Sequence, residues 1–188
     1  MPELPEVEVV KKSLEKKLKN LTIKRVDINN NKLRYKIDNI QFKKIKNQKI
    51  TSIQRRSKYL LINLNKGLTI LSHLGMTGKF FIINNNKKYK TSFYYSFKKN
   101  NTKHDHVIFF FHNKIKLIYN DVRKFGFIKI YPSEDVLNCT HLATLGPEPL
   151  SNNFNLNYFE KYILNKKIKI KDLLMSQKFV AGLGNIYC

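Results

Sequence analysis

Tyr59-Leu60-Leu61-Ile62-Asn63-Leu64-Asn65-Lys66-Gly67-Leu68-Thr69-Ile70-Leu71-Ser72 places two short apolar runs on either side of a polar, glycine-bearing break. Runs of this length, bounded by Asn, Lys and Gly, read as β-strands parted by a turn. The same rhythm continues outward in both directions. Further runs occur at Thr22–Ile28, Lys49–Arg55, Lys79–Ile83, Val107–Phe111, Lys116–Tyr119 and Phe127–Tyr131, with breaks such as Asn84-Asn85-Asn86 and His112-Asn113. This succession predicts an antiparallel β-sandwich.

Ahead of the strands, Glu3–Asn20 reads as a helix. Val7, Val10, Leu14, Leu18 and Leu21 recur at helical steps and form one apolar stripe. Pro5 suits the first turn, Glu6 and Glu8 suit the positive end of the helix dipole, and Lys16, Lys17 and Lys19 suit the negative end. Such a helix fixes the N-terminal residues against a core. Around Pro132 the pattern changes, and Leu145-Gly146-Pro147-Glu148-Pro149-Leu150 reads as a rigid connector and domain boundary. Short helices are predicted at Leu156–Leu164 and Ile170–Gln177. A Gly-x-Gly turn within Phe179–Cys188 is expected to open onto another helix. The predicted fold is α+β, with a sandwich domain over residues 1–131, a linker over 132–150 and a partial helical domain over 151–188.

Composition narrows the function classes. A hydrophobic fraction of 42% suits a folded protein, and no apolar run approaches the length of a membrane span. The N-terminus opens on carboxylates and prolines, unlike a signal peptide, and Cys139 and Cys188 form no CxxC pair. A cytoplasmic protein without membrane attachment is expected. With 36 Lys and Arg against 13 Asp and Glu, the formal charge is +23, which points to a polyanion partner. A solvated lysine surface is the alternative, because Lys, Asn and Ile are all abundant, as in proteins of AT-rich genomes. A basic RNA-binding scaffold rests on charge alone.

The N-terminus can also carry chemistry. Removal of Met1 would expose the secondary amine of Pro2, in a class of group with a pKa of about 8. Its neutral fraction would be nucleophilic, and Glu3 beside it could shuttle protons. On local pattern alone, the same prolines and glutamates are better explained as the start of a helix.

Read together, six strings give a more specific picture. They are Met1-Pro2-Glu3-Leu4-Pro5-Glu6-Val7-Glu8, Arg56-Ser57-Lys58-Tyr59-Leu60-Leu61, Leu71-Ser72-His73-Leu74-Gly75-Met76-Thr77-Gly78, Lys103-His104-Asp105-His106-Val107, Asn120-Asp121-Val122-Arg123-Lys124-Phe125-Gly126, and Val180-Ala181-Gly182-Leu183-Gly184-Asn185-Ile186-Tyr187. In this order, with Leu145–Leu150 between the last two, the chain resembles the formamidopyrimidine-DNA glycosylase family of bacterial 8-oxoguanine glycosylases and AP lyases. Leu4 and the Leu-Gly-Met loop favour its oxidised-purine branch over the endonuclease VIII type.

The resemblance implies a sandwich followed by a helix-two-turn-helix domain, and a monomer acting on damaged double-stranded DNA. It implies that Pro2 attacks the sugar C1′ to form an imine, with Glu3 moving protons and Lys58 in the catalytic set. Glu6 would give catalytic support. Met76, Arg123 and Phe125 would fill the gap left by an extruded nucleotide; otherwise Met76 and Phe125 read as core residues. Lys58, His73, Asn185 and Tyr187 match positions that hold phosphates. Lys171 matches a lysine near the damaged base, or else is a solvated helix residue.

The resemblance also brings one departure. The family normally adds a four-cysteine zinc finger after this region, so no zinc or other cofactor is expected in this chain, which reads as C-terminally truncated. The alternative to an active enzyme is a non-catalytic DNA-binding remnant. His104-Asp105-His106 is a poor metal site, because neighbouring strand residues point to opposite faces. Gly182-x-Gly184 is too short for a dinucleotide fingerprint.

Overall fold

The apolar stripe of the first helix sets the frame. In the computed structural model, which describes residues 1–92 and 102–188, helix α1 spans Leu4–Leu18 and buries Val7, Val10, Leu14 and Leu18. Glu3 is its extended N-cap, Pro5 lies in the first turn, and Lys16 and Lys17 lie in the last. Glu6 Oε2 accepts the Glu3 N–H at 2.9 Å, satisfying a donor that a helix start would leave free.

Nine strands are seen among the described residues: β1 (Ile23–Ile28), β2 (Ile50–Arg56), β3 (Tyr59–Leu64), β4 (Leu68–His73), β5 (Lys79–Asn84), β6 (Lys87–Lys90), β7 (Asp105–Phe111), β8 (Lys116–Asn120) and β9 (Phe127–Pro132). They form a five-stranded sheet in the order β1-β7-β8-β5-β6 and a four-stranded sheet in the order β2-β3-β4-β9. All pairings are antiparallel. The main core draws Ile23, Phe80, Phe109 and Leu117 from one sheet and Ile53, Leu60, Ile62 and Ile70 from the other, with the α1 stripe alongside. Each such side chain contributes about 1.5–3 kcal/mol through burial.

The β3–β4 hairpin explains why its sequence is apolar rather than alternating. Leu60 and Ile62 join the inter-sheet core. Leu61 pairs with Leu71 across the hairpin, and both face a second cluster with Phe127, Val136, Cys139 and Leu142. Both faces of the hairpin are therefore covered, the outer one by residues that follow β9.

Two short elements depart from the expectations. Helix α2 (Asn39–Lys44) starts at Asp38, whose Oδ1 accepts the Ile40 and Gln41 N–H groups, and it buries only Phe42. Among the described residues strand β6 is a lysine-rich edge, Lys87-Lys88-Tyr89-Lys90, with no apolar alternation to mark it. Lysine on an edge discourages pairing with other chains.

Helices α3 (Leu156–Ile163) and α4 (Ile170–Met175) pack around Phe179, which stacks on Tyr158 and is fully buried. Asn155 caps α3 by accepting the Tyr158 N–H. The helix expected after Gly184 is a single turn, closed by the Cys188 N–H on the Gly184 carbonyl at 3.0 Å.

The last segment folds back on the first. Leu4 N–H donates to the Gly182 carbonyl at 3.0 Å, and Ala181 N–H donates to the Pro147 carbonyl at 2.8 Å. Arg55 reinforces this junction with a bidentate grip on Glu148 and a further contact to Glu8, while Ser57 N–H also donates to Glu148.

Candidate active site

The fold brings the N-terminus, the β2–β3 turn and the segment after α4 to one place. Gly182 adopts φ +111°, and a Cβ there would meet the Leu4 side chain at 2.5 Å. At Gly184 a Cβ would lie 2.5 Å from Glu3 Oε1 and 2.8 Å from Lys58 Nζ. Two glycines thus let the turn close over the start of α1, and Gly184 leaves room for an acid and a base side by side.

Glu3 is only 2% exposed. Its Oε1 accepts the Ile186 N–H at 2.9 Å, while Oε2 is buried without a protein partner. Lys58 is also buried, in the turn where Ser57 takes φ 54°. Burial pushes the Lys58 ammonium below the usual lysine range, and the charges of Glu3 and Glu6 oppose that shift. Glu6 bridges both ends of the chain, since Oε2 holds the Glu3 N–H and Oε1 accepts the Tyr187 hydroxyl at 2.8 Å.

Pro2 lines a cavity of about 370 Å³ together with Glu6, Met76, Thr77, Ser92 and Tyr187. A neighbouring cavity of about 550 Å³ is lined by Arg34, His73, Gly75, Arg123, Lys124 and Phe125. Met1 and Met76 line both, so the N-terminus sits where the two meet.

The second cavity gathers the residues expected to fill a gap in DNA. Met76 is 43% exposed and Phe125 46%, which removes the alternative that they are core residues. The Arg123 guanidinium lies over the Phe125 ring, 4.5 Å from its centroid. Gly75, at φ +59°, allows the two loops to touch, because a Cβ there would stand 2.5 Å from the backbone of Phe125 and Gly126.

His73 stacks on Phe127, and its Nδ1 accepts the Gly75 N–H at 3.1 Å. Burial, with the charges of Arg34 and Lys58, lowers its pKa to about 4. The imidazole is therefore neutral near pH 7, with Nε2–H as its donor.

Asn185 is exposed on the turn after Gly184, and Lys171 is exposed in the first turn of α4, lining neither cavity. His106 is buried and its Nε2 contacts the Asp121 carbonyl at 2.7 Å, which gives the His-Asp-His string a structural use. Among the described residues, no three His, Cys, Asp or Glu side chains converge on a metal site. No helix among those residues is long and apolar enough to cross a membrane.

Several participants carried no signal in the sequence. Asp121 and Thr77 lie inside quoted motifs without an assigned role, and Arg34 and Ser92 lie outside them. Gln177 sits at the end of a predicted helix, but its side chain holds the Gly182 N–H and the Leu183 carbonyl. Only the three-dimensional pairing reveals them.

Comparison with known proteins agrees with this architecture. The family profile of the formamidopyrimidine-DNA glycosylase N-terminal domain matches residues 1–128, and that of the formamidopyrimidine-DNA glycosylase H2TH domain matches residues 145–188. The formamidopyrimidine-DNA glycosylase of Rickettsia bellii (strain OSU 85-389) is 44% identical over 187 residues, covering 100% of this chain and 64% of its own length. That of Rhodopseudomonas palustris (strain TIE-1) is 36% identical with the same coverage. Lactococcus lactis Fpg, solved in complex with DNA containing an abasic site, superimposes with a TM-score of 0.82 at 32% identity, over 98% of this chain and 64% of that one. The chain therefore spans about two-thirds of the length of these relatives. It belongs to the formamidopyrimidine-DNA glycosylase family.

Proposed function

We propose that the chain is a base-excision repair enzyme, a bifunctional glycosylase and AP lyase that removes oxidised purines from double-stranded DNA. The observation that carries this reading is the buried, unpartnered Glu3 Oε2 on the residue after Pro2, where Pro2 itself lines a cavity large enough for a base. A buried carboxylate oxygen without a donor is expensive unless it serves a proton or a substrate. Relatives 36% and 44% identical over 187 residues carry the glycosylase name, and Lactococcus lactis Fpg has been solved with abasic DNA.

The chemistry follows from the residues. Removal of Met1 frees the Pro2 nitrogen and opens the junction between the two cavities. The nitrogen lone pair attacks C1′ of an extruded nucleotide. The C1′–N9 bond breaks, and its electrons leave with the base, which takes up a proton. The Pro2 nitrogen loses its N–H proton, and the C1′–O4′ bond breaks with O4′ taking up a proton, which opens the sugar ring and leaves an iminium. That iminium acidifies C2′, so proton loss there expels the 3′-phosphate. Glu3 moves the protons, with Ile186 N–H fixing one of its oxygens. Lys58 faces the same point and can neutralise a nearby phosphate oxygen.

Extrusion of a base costs a few kcal/mol. Met76 and Phe125 can replace the lost stacking, while Arg123 can hydrogen-bond the orphaned partner base. His73 and Asn185 supply neutral donors to the backbone, and Tyr187 joins them once its hydroxyl turns away from Glu6, which suits an enzyme that works at any sequence.

The test is borohydride trapping on duplex carrying 8-oxoguanine opposite cytosine, with an abasic duplex and Pro2→Gly alongside. A Pro2-dependent covalent adduct on both duplexes is expected. An adduct on abasic DNA alone would restrict the function to the lyase step. Binding without any adduct, from folded protein lacking Met1, would leave a DNA-binding remnant and sink the proposal.

A further inference from the structure

Asp121 is fully buried, yet its atoms reach the His104–His106 stretch, the Thr77 loop and Gly126 as well as Tyr119 in the strand before it. Its backbone N–H donates to the His104 carbonyl at 3.1 Å, and its carbonyl meets His106 Nε2 at 2.7 Å. On the side chain, Oδ2 accepts the Gly126 N–H at 2.8 Å and shares the Tyr119 hydroxyl, 3.4 Å away, with the His73 carbonyl at 3.3 Å. Oδ1 accepts the Thr77 hydroxyl, and Thr77 Oγ1 in turn accepts the Arg123 N–H at 3.0 Å.

From this arrangement we infer that Asp121 is a positioning residue that holds the Met76 loop and the Arg123–Phe125 loop in one register through the Thr77 hydroxyl. The inference rests on the proposed role of those loops in filling a gap in DNA, and it deepens that role. Met76 stands on one loop, Arg123 and Phe125 on the other, and a wedge must enter the duplex as a unit. A buried carboxylate is acceptor-only, so it can bind the Thr77, Gly126 and Tyr119 donors together. An amide in its place would turn an N–H₂ toward one of them. Thr77 adds direction, because its hydroxyl donates to Asp121 and accepts from Arg123 through a single oxygen. With both loops ordered beforehand, binding energy is not consumed in ordering them on DNA. The two glycines at the seam fit the same purpose: Gly75 allows backbone contact, and at Gly126 a Cβ would lie 2.0 Å from the Tyr119 hydroxyl.

The experiment compares the parent chain with Asp121→Asn, Thr77→Val and Thr77→Ser. Two readouts are taken. One is the fluorescence of 2-aminopurine placed opposite a tetrahydrofuran abasic analogue in duplex DNA, which reports disturbance of the orphaned base. The other is the ratio of borohydride-trapped adduct on abasic duplex to that on abasic single strand, where no gap needs filling. We expect Asp121→Asn and Thr77→Val to lower that ratio about ten-fold, the size of one lost buried hydrogen bond, and to diminish the fluorescence change. Thr77→Ser, which keeps the hydroxyl, should restore both.

A parental ratio in Thr77→Val, or Thr77→Ser behaving as Thr77→Val, overturns the inference. So does an equal loss on both substrates, which would place the effect at the nucleophile. If Asp121→Asn does not fold, the threonine pair decides alone. A parent chain that forms no adduct on single-stranded abasic DNA counts against the proposed chemistry instead. The fluorescence arm still judges Asp121 and Thr77, since wedge insertion needs no Pro2 reaction.

Discussion

Ile186 donates its backbone N–H to Glu3 Oε1 at 2.9 Å, joining residues 183 positions apart. The bond depends on Gly184, whose missing side chain leaves space for Glu3 and Lys58. Gly184→Ala would push a methyl group into both side chains and shift the carboxylate. We expect about a hundred-fold loss in the rate of borohydride-trapped adduct, within the range for general acid–base assistance. Circular dichroism should show the fold retained. A variant that traps at the parental rate would remove Glu3 positioning from the mechanism.

Met76 and Phe125 are large apolar side chains left near half exposed, and exposed groups of this kind contribute little to folding. Met76→Ala and Phe125→Ala should therefore change stability by no more than about 0.5 kcal/mol in urea unfolding. On duplex DNA, each should reduce adduct formation about ten-fold or more, because stacking is worth about 1–3 kcal/mol per base. Loss of stability without loss of trapping would assign them to packing.

These residues also mark how far the sequence could be read. The α1 stripe was legible because helical spacing alone selects Val7, Val10, Leu14 and Leu18. Eight of the nine described strands were legible because their apolar runs are bounded by polar turns. Strand β6 was not, since an edge strand of Lys87, Lys88, Tyr89 and Lys90 obeys a rule against pairing rather than one of burial. Helix α2 was not either, because it is defined by the Asp38 cap and one buried ring. At the proposed site, Met76, Arg123 and Phe125 were nominated by motif order and not by local pattern, whereas Pro2 was nominated by its own amine chemistry as well. Asp121 stayed hidden because its partners at Thr77 and His104 are distant in sequence, and no periodicity encodes a convergent carboxylate.

The Arg55–Glu148 pair joins β2 to the connector after Gly146, and both side chains are mostly buried. Burial alone would raise the Glu148 pKa, but Arg55 and the Ser57 N–H hold it below the usual carboxylate range. A depressed carboxylate stabilises the fold above its unfolded pKa, and that contribution is lost as pH falls through the folded value. Glu148→Gln should thus flatten the fall in urea midpoint between about pH 5 and pH 3. Arg55→Ala should cost about 2–3 kcal/mol at pH 7, since it frees Glu8 and leaves Glu148 with only the Ser57 N–H and the longer Arg56 contact. An unchanged acid slope in Glu148→Gln would show that other carboxylates govern acid unfolding.

His73 behaves in the same direction for a different reason. Its folded pKa of about 4 lies below the ordinary histidine value, first because of burial and then because of Arg34 and Lys58. The unfolded chain binds a proton at this residue below about pH 6.5, while the native chain does not until about pH 4. Stability from a neutral His73 is therefore complete above the unfolded pKa and declines as pH falls through that window, by at most about 3 kcal/mol. The sign matters for function, because Nδ1 is occupied by the Gly75 N–H and only Nε2–H can donate to a phosphate. DNA binding through His73 should then be independent of pH between about 6 and 8, whereas a charged imidazole would weaken steadily over that range. NMR titration of the ring carbons decides between them: the His73 resonances should stay at their neutral positions down to about pH 5. A midpoint near 6.5 would mean that His73 meets DNA as a cation and that its Gly75 hydrogen bond opens in solution.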